Sequence, residues 1–144
     1  MSFSEQQIRQ LTKPLCQALG DNISWSFEPR HQVMLSEFAQ NKSDLVLARL
    51  REQLPHEWCD KTWKKLPKVL KSELGDLAKL KQGQKLLALT AGDNTPAIVA
   101  LWWPWGHGGT YSLRLKLLDI EYQDTAEPDG SAVVNWFKRL FTMS

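Results

Sequence analysis

The chain has 144 residues, of which 42% are hydrophobic and 24% charged, with a formal net charge of +2. That length suits one domain with a substantial core, and the composition excludes an intrinsically disordered chain. The small net charge excludes bulk attraction to nucleic acid or membrane, so any electrostatic role has to come from a local patch.

From the N-terminus, Ser4 with Gln7 three residues later makes a capping-box pattern. Ile8, Leu11, Leu15 and Leu19 then recur at helical spacing, and Gly20 suits the stop. Pro14 falls inside this pattern and predicts a kink or short break. Ile23, Trp25 and Phe27 alternate with Ser24, Ser26 and Glu28, the mark of a half-buried strand. After a turn at Pro29-Arg30-His31, residues 32–38 suit a strand or the start of a helix, and the hairpin partner is favoured. Ser43 caps a helix running to Leu54, with Val46, Leu47, Leu50 and Leu54 on one side and Pro55 as its end.

Trp58 to Lys81 reads as helix, bent or broken at Pro67, with Trp63, Leu66, Leu70, Leu74 and Leu77 as its apolar stripe. Three strands follow: Leu86 to Thr90, Ala97 to Trp105 and Tyr111 to Glu121. A turn at Gly92-Asp93-Asn94 and a glycine-rich loop from Gly106 to Thr110 join them, and connections this short make an antiparallel meander. Asp119 to Asp129 holds five carboxylates and no base, and reads as a solvated loop. The last segment reads as an amphipathic helix, with Val133, Val134, Trp136, Phe137, Leu140 and Phe141 on one face.

These elements predict a single α+β domain over residues 1–144. Its sheet is mainly antiparallel, with a three-strand meander over 84–121 and a strand or hairpin near 22–38. N-terminal, central and C-terminal helices pack on it.

The least ordinary segment is Leu101 to Thr110, Leu-Trp-Trp-Pro-Trp-Gly-His-Gly-Gly-Thr. Alternation puts Ile98, Ala100 and Trp102 on one side and Val99, Leu101 and Trp103 on the other, so both faces of the strand are apolar. Intramolecular packing is the commoner fate of such a strand. A dimer or partner surface and a ligand pocket are the functional alternatives. The leading expectation is a non-enzymatic protein-interaction module or homodimer using strand 97–105, with Trp102, Trp103, Trp105, His107, Gly108 and Gly109 as the contact candidates. The same residues define the pocket reading, a small-ligand-binding protein or enzyme with its site near Trp102–Gly109. There Gly106, Gly108 and Gly109 would offer backbone amides to an anion beside His107.

A second candidate surface lies between residues 61 and 85. Eight lysines face two carboxylates, Glu73 and Asp76, for a local charge of +6. On a continuous helix Lys61, Lys64, Lys65, Lys68, Lys71 and Lys79 share a broad arc opposite Leu70, which predicts a nucleic-acid-binding alternative. A solvated helix face is the commoner meaning of such a run, and the acidic stretch 119–129 offers it a partner within or between chains.

No phosphate loop, dinucleotide fingerprint, nucleophile elbow or zinc-protease helix occurs, so no catalytic residue, cofactor or metal is assigned. His56 and Cys59 would share a face if helical, but two ligands do not make a zinc site. Cys16 and Cys59 lie far apart and read as free thiols. The first residues carry no basic and apolar export pattern, and no apolar run approaches the roughly 18 residues of a membrane span. The expected location is therefore cytoplasmic, without membrane insertion.

Overall fold

A computed structural model of the protein describes residues 3–91, 96–106 and 108–118. Within them the chain forms an α+β domain around a six-stranded antiparallel sheet. In chain order the elements are α1 (Glu5–Ala18), β1 (Ser26–Glu28), β2 (Val33–Ala39), α2 (Ser43–Gln53), β3 (His56–Cys59), α3 (Lys68–Leu74), β4 (Lys85–Leu89), β5 (Ala97–Pro104) and β6 (Thr110–Leu118). The strand order across the sheet is β1-β2-β6-β5-β4-β3.

The capping box forms as expected. Ser4 Oγ accepts from the Gln7 amide at 3.2 Å, while Gln7 Oε1 accepts from the Ser4 amide at 2.9 Å. Pro14 does not interrupt α1. It lies on the exposed side, as does Gln10, whose carbonyl would otherwise take the missing amide and can instead face water. The helix stops at Gly20, whose φ of 105° is a conformation that L side chains rarely adopt. Arg49 on α2 donates to the Leu19 carbonyl at 3.3 Å, and a Cβ on Gly20 would meet its guanidinium. The α1 terminus and α2 are thus joined through a position that only glycine fills without strain.

The segment 32–38 is strand from Val33 onward, after Gln32 turns the chain at φ 54°. Val33–Ala39 pairs with the short β1 on one side and with β6 on the other. The β1 ladder covers Ser26–Glu28 alone, although Ile23, Trp25 and Phe27 do all turn toward the core. Ser43 opens α2 without capping it: its hydroxyl donates back to the Gln40 carbonyl at 2.7 Å, closing a 3-10 turn over Gln40–Lys42.

The expected helix from Trp58 to Lys81 is the main departure. In its place stand an edge strand, a 3-10 turn at Trp63–Lys65, the seven-residue α3, and a second 3-10 turn at Gly75–Ala78. Pro67 is the reason in the middle. It pushes Leu66 out of the helical region to φ −56°, ψ 142°, so no helix passes through this point. The apolar spacing survives: Leu66, Leu70 and Leu74 are buried on one side.

The meander β4-β5-β6 forms with the expected alternation. On one face Ile98, Ala100 and Trp102 meet Leu87, Leu113, Leu115 and Leu117 under α1 and α2. On the other, Ala97, Val99 and Leu101 meet Leu86 and Ala88 beneath Leu66, Leu70, Leu74, Ala78 and Leu80. The turn at 92–94, the last three residues of the expected strand Tyr111 to Glu121, the acidic stretch 119–129 and the C-terminal helix lie outside the described residues. Among the described residues no helix is long and apolar enough to cross a membrane.

Because Leu101 is fully covered between two layers, Leu101→Ala is expected to cost about 2–5 kcal/mol of stability. Urea denaturation measures it. A loss below about 1 kcal/mol would mean that the layer over Leu86, Val99 and Leu101 does not pack as described.

Candidate functional site

The structure separates the Trp-rich candidates. Trp102 is 2% exposed and packs at a tilt within an aromatic group, its ring centroid 5.7 Å from Phe38 and 5.3 Å from Tyr111. It is a core residue and offers nothing to a partner. Trp103, on the opposite face, is half-buried, and the Arg114 guanidinium carbon lies 4.4 Å from its ring centroid. Trp105 follows the strand and is 44% exposed.

The tip beyond Pro104 is fixed by its backbone. Pro104 pairs opposite Tyr111, and the missing proline amide marks the end of the ladder without breaking it. The Trp105 amide then donates to the Thr110 carbonyl at 2.8 Å, and the Gly108 amide donates to the Trp105 carbonyl at 2.9 Å. Gly108 takes φ 76°, which is why glycine stands there. The Gly109 carbonyl accepts from the Gln40 amide at 3.0 Å, tying the loop to the end of β2. These bonds alter the anion reading of the loop, since the Gly108 amide already serves the turn. His107 lies outside the described residues.

Arg114 is the residue that sequence reading passed over. It alternates with Leu113 and Leu115, which marks only a polar face. Register places it diagonally from Trp103, and Lys116 lies two residues on along the same face. Its Nη1 donates to Ser112 Oγ at 3.0 Å, while its Nε and the Trp103 indole nitrogen are buried without a hydrogen-bond acceptor. Burial pulls both cations, Arg114 and Lys116, below their ordinary pKa, opposed by Glu28 and Glu37 for Arg114 and by Glu73 and Glu28 for Lys116. Glu28 also organises the β1–β2 connection. Its carboxylate accepts from the His31 amide and lies 2.7 Å from His31 Nδ1, and Lys116 Nζ donates to the His31 carbonyl at 2.9 Å.

The lysines do not form one helical arc, because the segment that carries them is not one helix. Lys61, Lys64, Lys65 and Lys68 are exposed in the turn before α3 and at its first residue. Lys71 is half-buried and its ammonium donates to the Lys64 carbonyl, bracing the 3-10 turn against α3. Lys79 lies beyond the second 3-10 turn, 3.3 Å from Asp76. Trp63 lies between Lys61 and Lys64 in sequence, half-buried and packed on the core under α3.

His56 and Cys59 belong to β3, three residues apart on a strand, and therefore point to opposite faces. The shared helical face considered for a zinc pair is absent. Comparison of the chain with protein-family models, curated proteins and solved structures gives no match.

Two outcomes test these environments. Burial alone would raise the Glu28 pKa, but hydrogen bonds from the His31 side chain and amide, with the charges of His31 and Arg114, hold it below its ordinary 4.5. Its contribution to stability is therefore present above about pH 4.5 and lost as pH falls through the lower folded value. Glu28→Gln should be less stable than wild type at pH 7, and the gap should close in acid; a gap that is constant from pH 7 to pH 3 contradicts the pairing. The two thiols should also separate. Burial pushes the Cys16 pKa up to about 11, whereas the Lys61 amide and the Thr62 hydroxyl bring the Cys59 thiol below its usual value. Iodoacetamide at pH 8, followed by peptide mass spectrometry, should modify Cys59 before Cys16, and the opposite order would refute this assignment.

Proposed function

We propose that the protein acts by binding rather than by catalysis, as a protein-interaction module anchored by Trp105 at the β5–β6 tip. The observation that carries this reading is the indole, 44% exposed on a turn closed by backbone hydrogen bonds. A large side chain on a backbone already ordered loses little entropy when it enters a partner's pocket. Tryptophans so placed are frequent anchors of protein interfaces. A Cβ on Gly106 or Gly108 would meet nothing within 4 Å, so the backbone around the indole is open to a partner's surface.

A different protein suits this tip better than a second copy. Strand β5 is paired on both edges, so it offers no ladder to another chain. The outer strands β1 and β3 are only three and four residues long, the sort of edge that resists pairing between sheets. Two free thiols suit a reducing compartment, and the cytoplasm is part of this proposal.

The test compares tagged wild type with Trp105→Ala by quantitative mass spectrometry of captured proteins, with light scattering of each. Trp105→Ala should lose a specific captured protein at least about tenfold while its melting temperature stays within a few degrees. The same captured proteins in both, or a wild-type dimer that persists in Trp105→Ala, would defeat the proposal.

A further inference from the structure

The lysine segment plays no part in that reading. We infer that residues 61–68 form a second contact surface, with Trp63 as a stacking platform for the bases of single-stranded nucleic acid and Lys61, Lys64, Lys65 and Lys68 as contacts for its phosphates. The sequence from Lys61 to Lys71 contains five lysines and no acidic residue; Asp60 is the acid immediately before it. The four lysines named are exposed, so their charge is available without breaking a contact of the fold. Lys71 is left out because it braces Lys64, and Lys79 because it pairs with Asp76.

The shape of the segment selects the partner. A continuous helix would have spread these lysines along about two turns, whereas the break at Pro67 and the bond from Lys71 to the Lys64 carbonyl hold the 3-10 turn that carries Trp63 against α3, with the Lys64 ammonium beside the ring. Trp63 is held from below by the core under α3, which keeps the ring ordered. The Lys64 ammonium lies 6.0 Å from its centroid, at the outer limit of cation–π attraction, where a stacking base can displace it. Lysines around an ordered aromatic ring are the elements of sequence-tolerant single-strand binding.

Other polyanions fit less well. Duplex reading needs an element that enters a groove, and α3 has only seven residues with no arginine to reach base edges. A membrane surface needs apolar side chains to insert. The exposed large hydrophobics among the described residues are Leu45, Leu89 and Trp105, none of them in this segment.

The experiment is fluorescence anisotropy of a labelled 15-nucleotide oligothymidine with the full chain, at 50 and 200 mM salt. Four phosphate contacts on a single strand predict a slope of about −3, so the Kd should rise roughly fifty-fold between the two salts. The exposed pair Lys64→Glu/Lys68→Glu should weaken binding at least about tenfold at the lower salt. Trp63→Leu should weaken it as well, and Trp63→Phe should restore part of the loss. Trp105→Ala should leave it unchanged, which keeps this surface distinct from the tip. The inference fails if the oligonucleotide does not bind at 50 mM salt, or if a duplex of equal length binds as tightly. It also fails if the double lysine variant binds like wild type, or if only phosphatidylserine vesicles are bound through these lysines. Should Trp63→Leu not fold, the surface lysine pair and the duplex comparison still decide the matter.

Discussion

Strand β5 imposes the central constraint. From Ala97 to Trp102 every side chain is buried, and both edges of the strand are paired. An antiparallel sheet commonly leaves one face wet, but a strand apolar on both sides has to be covered twice. The chain meets this in sequence. It lays α1 and α2 on one face, crosses at the edge through β3, and covers the other face with the turn, α3 and second turn over residues 63–78 before β4 enters the sheet. The short strand His56–Cys59 is the crossing point, since it follows a helix on one face and precedes the layer on the other. Leu87 and Leu86 on its partner strand belong to the two different cores.

That second layer sits over β4 and β5, and the character of the face changes toward β6, β2 and β1. There the side chains include Ser112, Arg114, Lys116, Glu37 and Glu28. Half-burying two cations costs solvation, and the local chemistry offsets part of that cost. Arg114 rests on the π face of Trp103 and reaches Ser112, and Lys116 finds the His31 carbonyl. Glu28 lowers the cost again from across β2 while holding the turn at His31. The same carboxylate thus serves the hairpin and the cations, which couples the β1–β2 connection to the centre of the sheet.

Much of this was legible in the chain. The meander, the capping box and the two-sided burial of β5 follow from alternation and spacing, because strand period and helix period are local signals. The β1–β2 hairpin was legible in outline, while its register against β6 depended on a pairing about 80 residues away. The failure at residues 58–81 has a definite cause. Leucines at 66, 70 and 74 keep helical spacing over one short helix, and the same apolar pattern was extended backward through Pro67, where backbone sterics forbid it. The surface changed with the backbone, since the lysines no longer share one helical arc. Arg114 stayed hidden for another reason. A polar residue on an alternating strand looks solvated until the register shows what lies diagonally from it.

The six described tryptophans show how position, rather than residue type, separates structural from exposed roles. Trp102 is closed in by Phe38 and Tyr111, while Trp25, Trp58 and Trp103 are half-buried against one core or the other. Trp63 is likewise partly buried against the core under α3, and Trp105 alone of the six is exposed. Trp105 rides on a turn closed by its own amide and carbonyl. An indole held by its backbone can be exposed without loosening the fold, because the bonds that order it are not the contacts that would bury it. At such positions the hydrophobic gain is left unmade in the isolated chain and remains available to whatever covers the ring. This is the physical ground for the contact proposed at Trp105 and for the packing role of Trp102, which sequence alone placed in the same group.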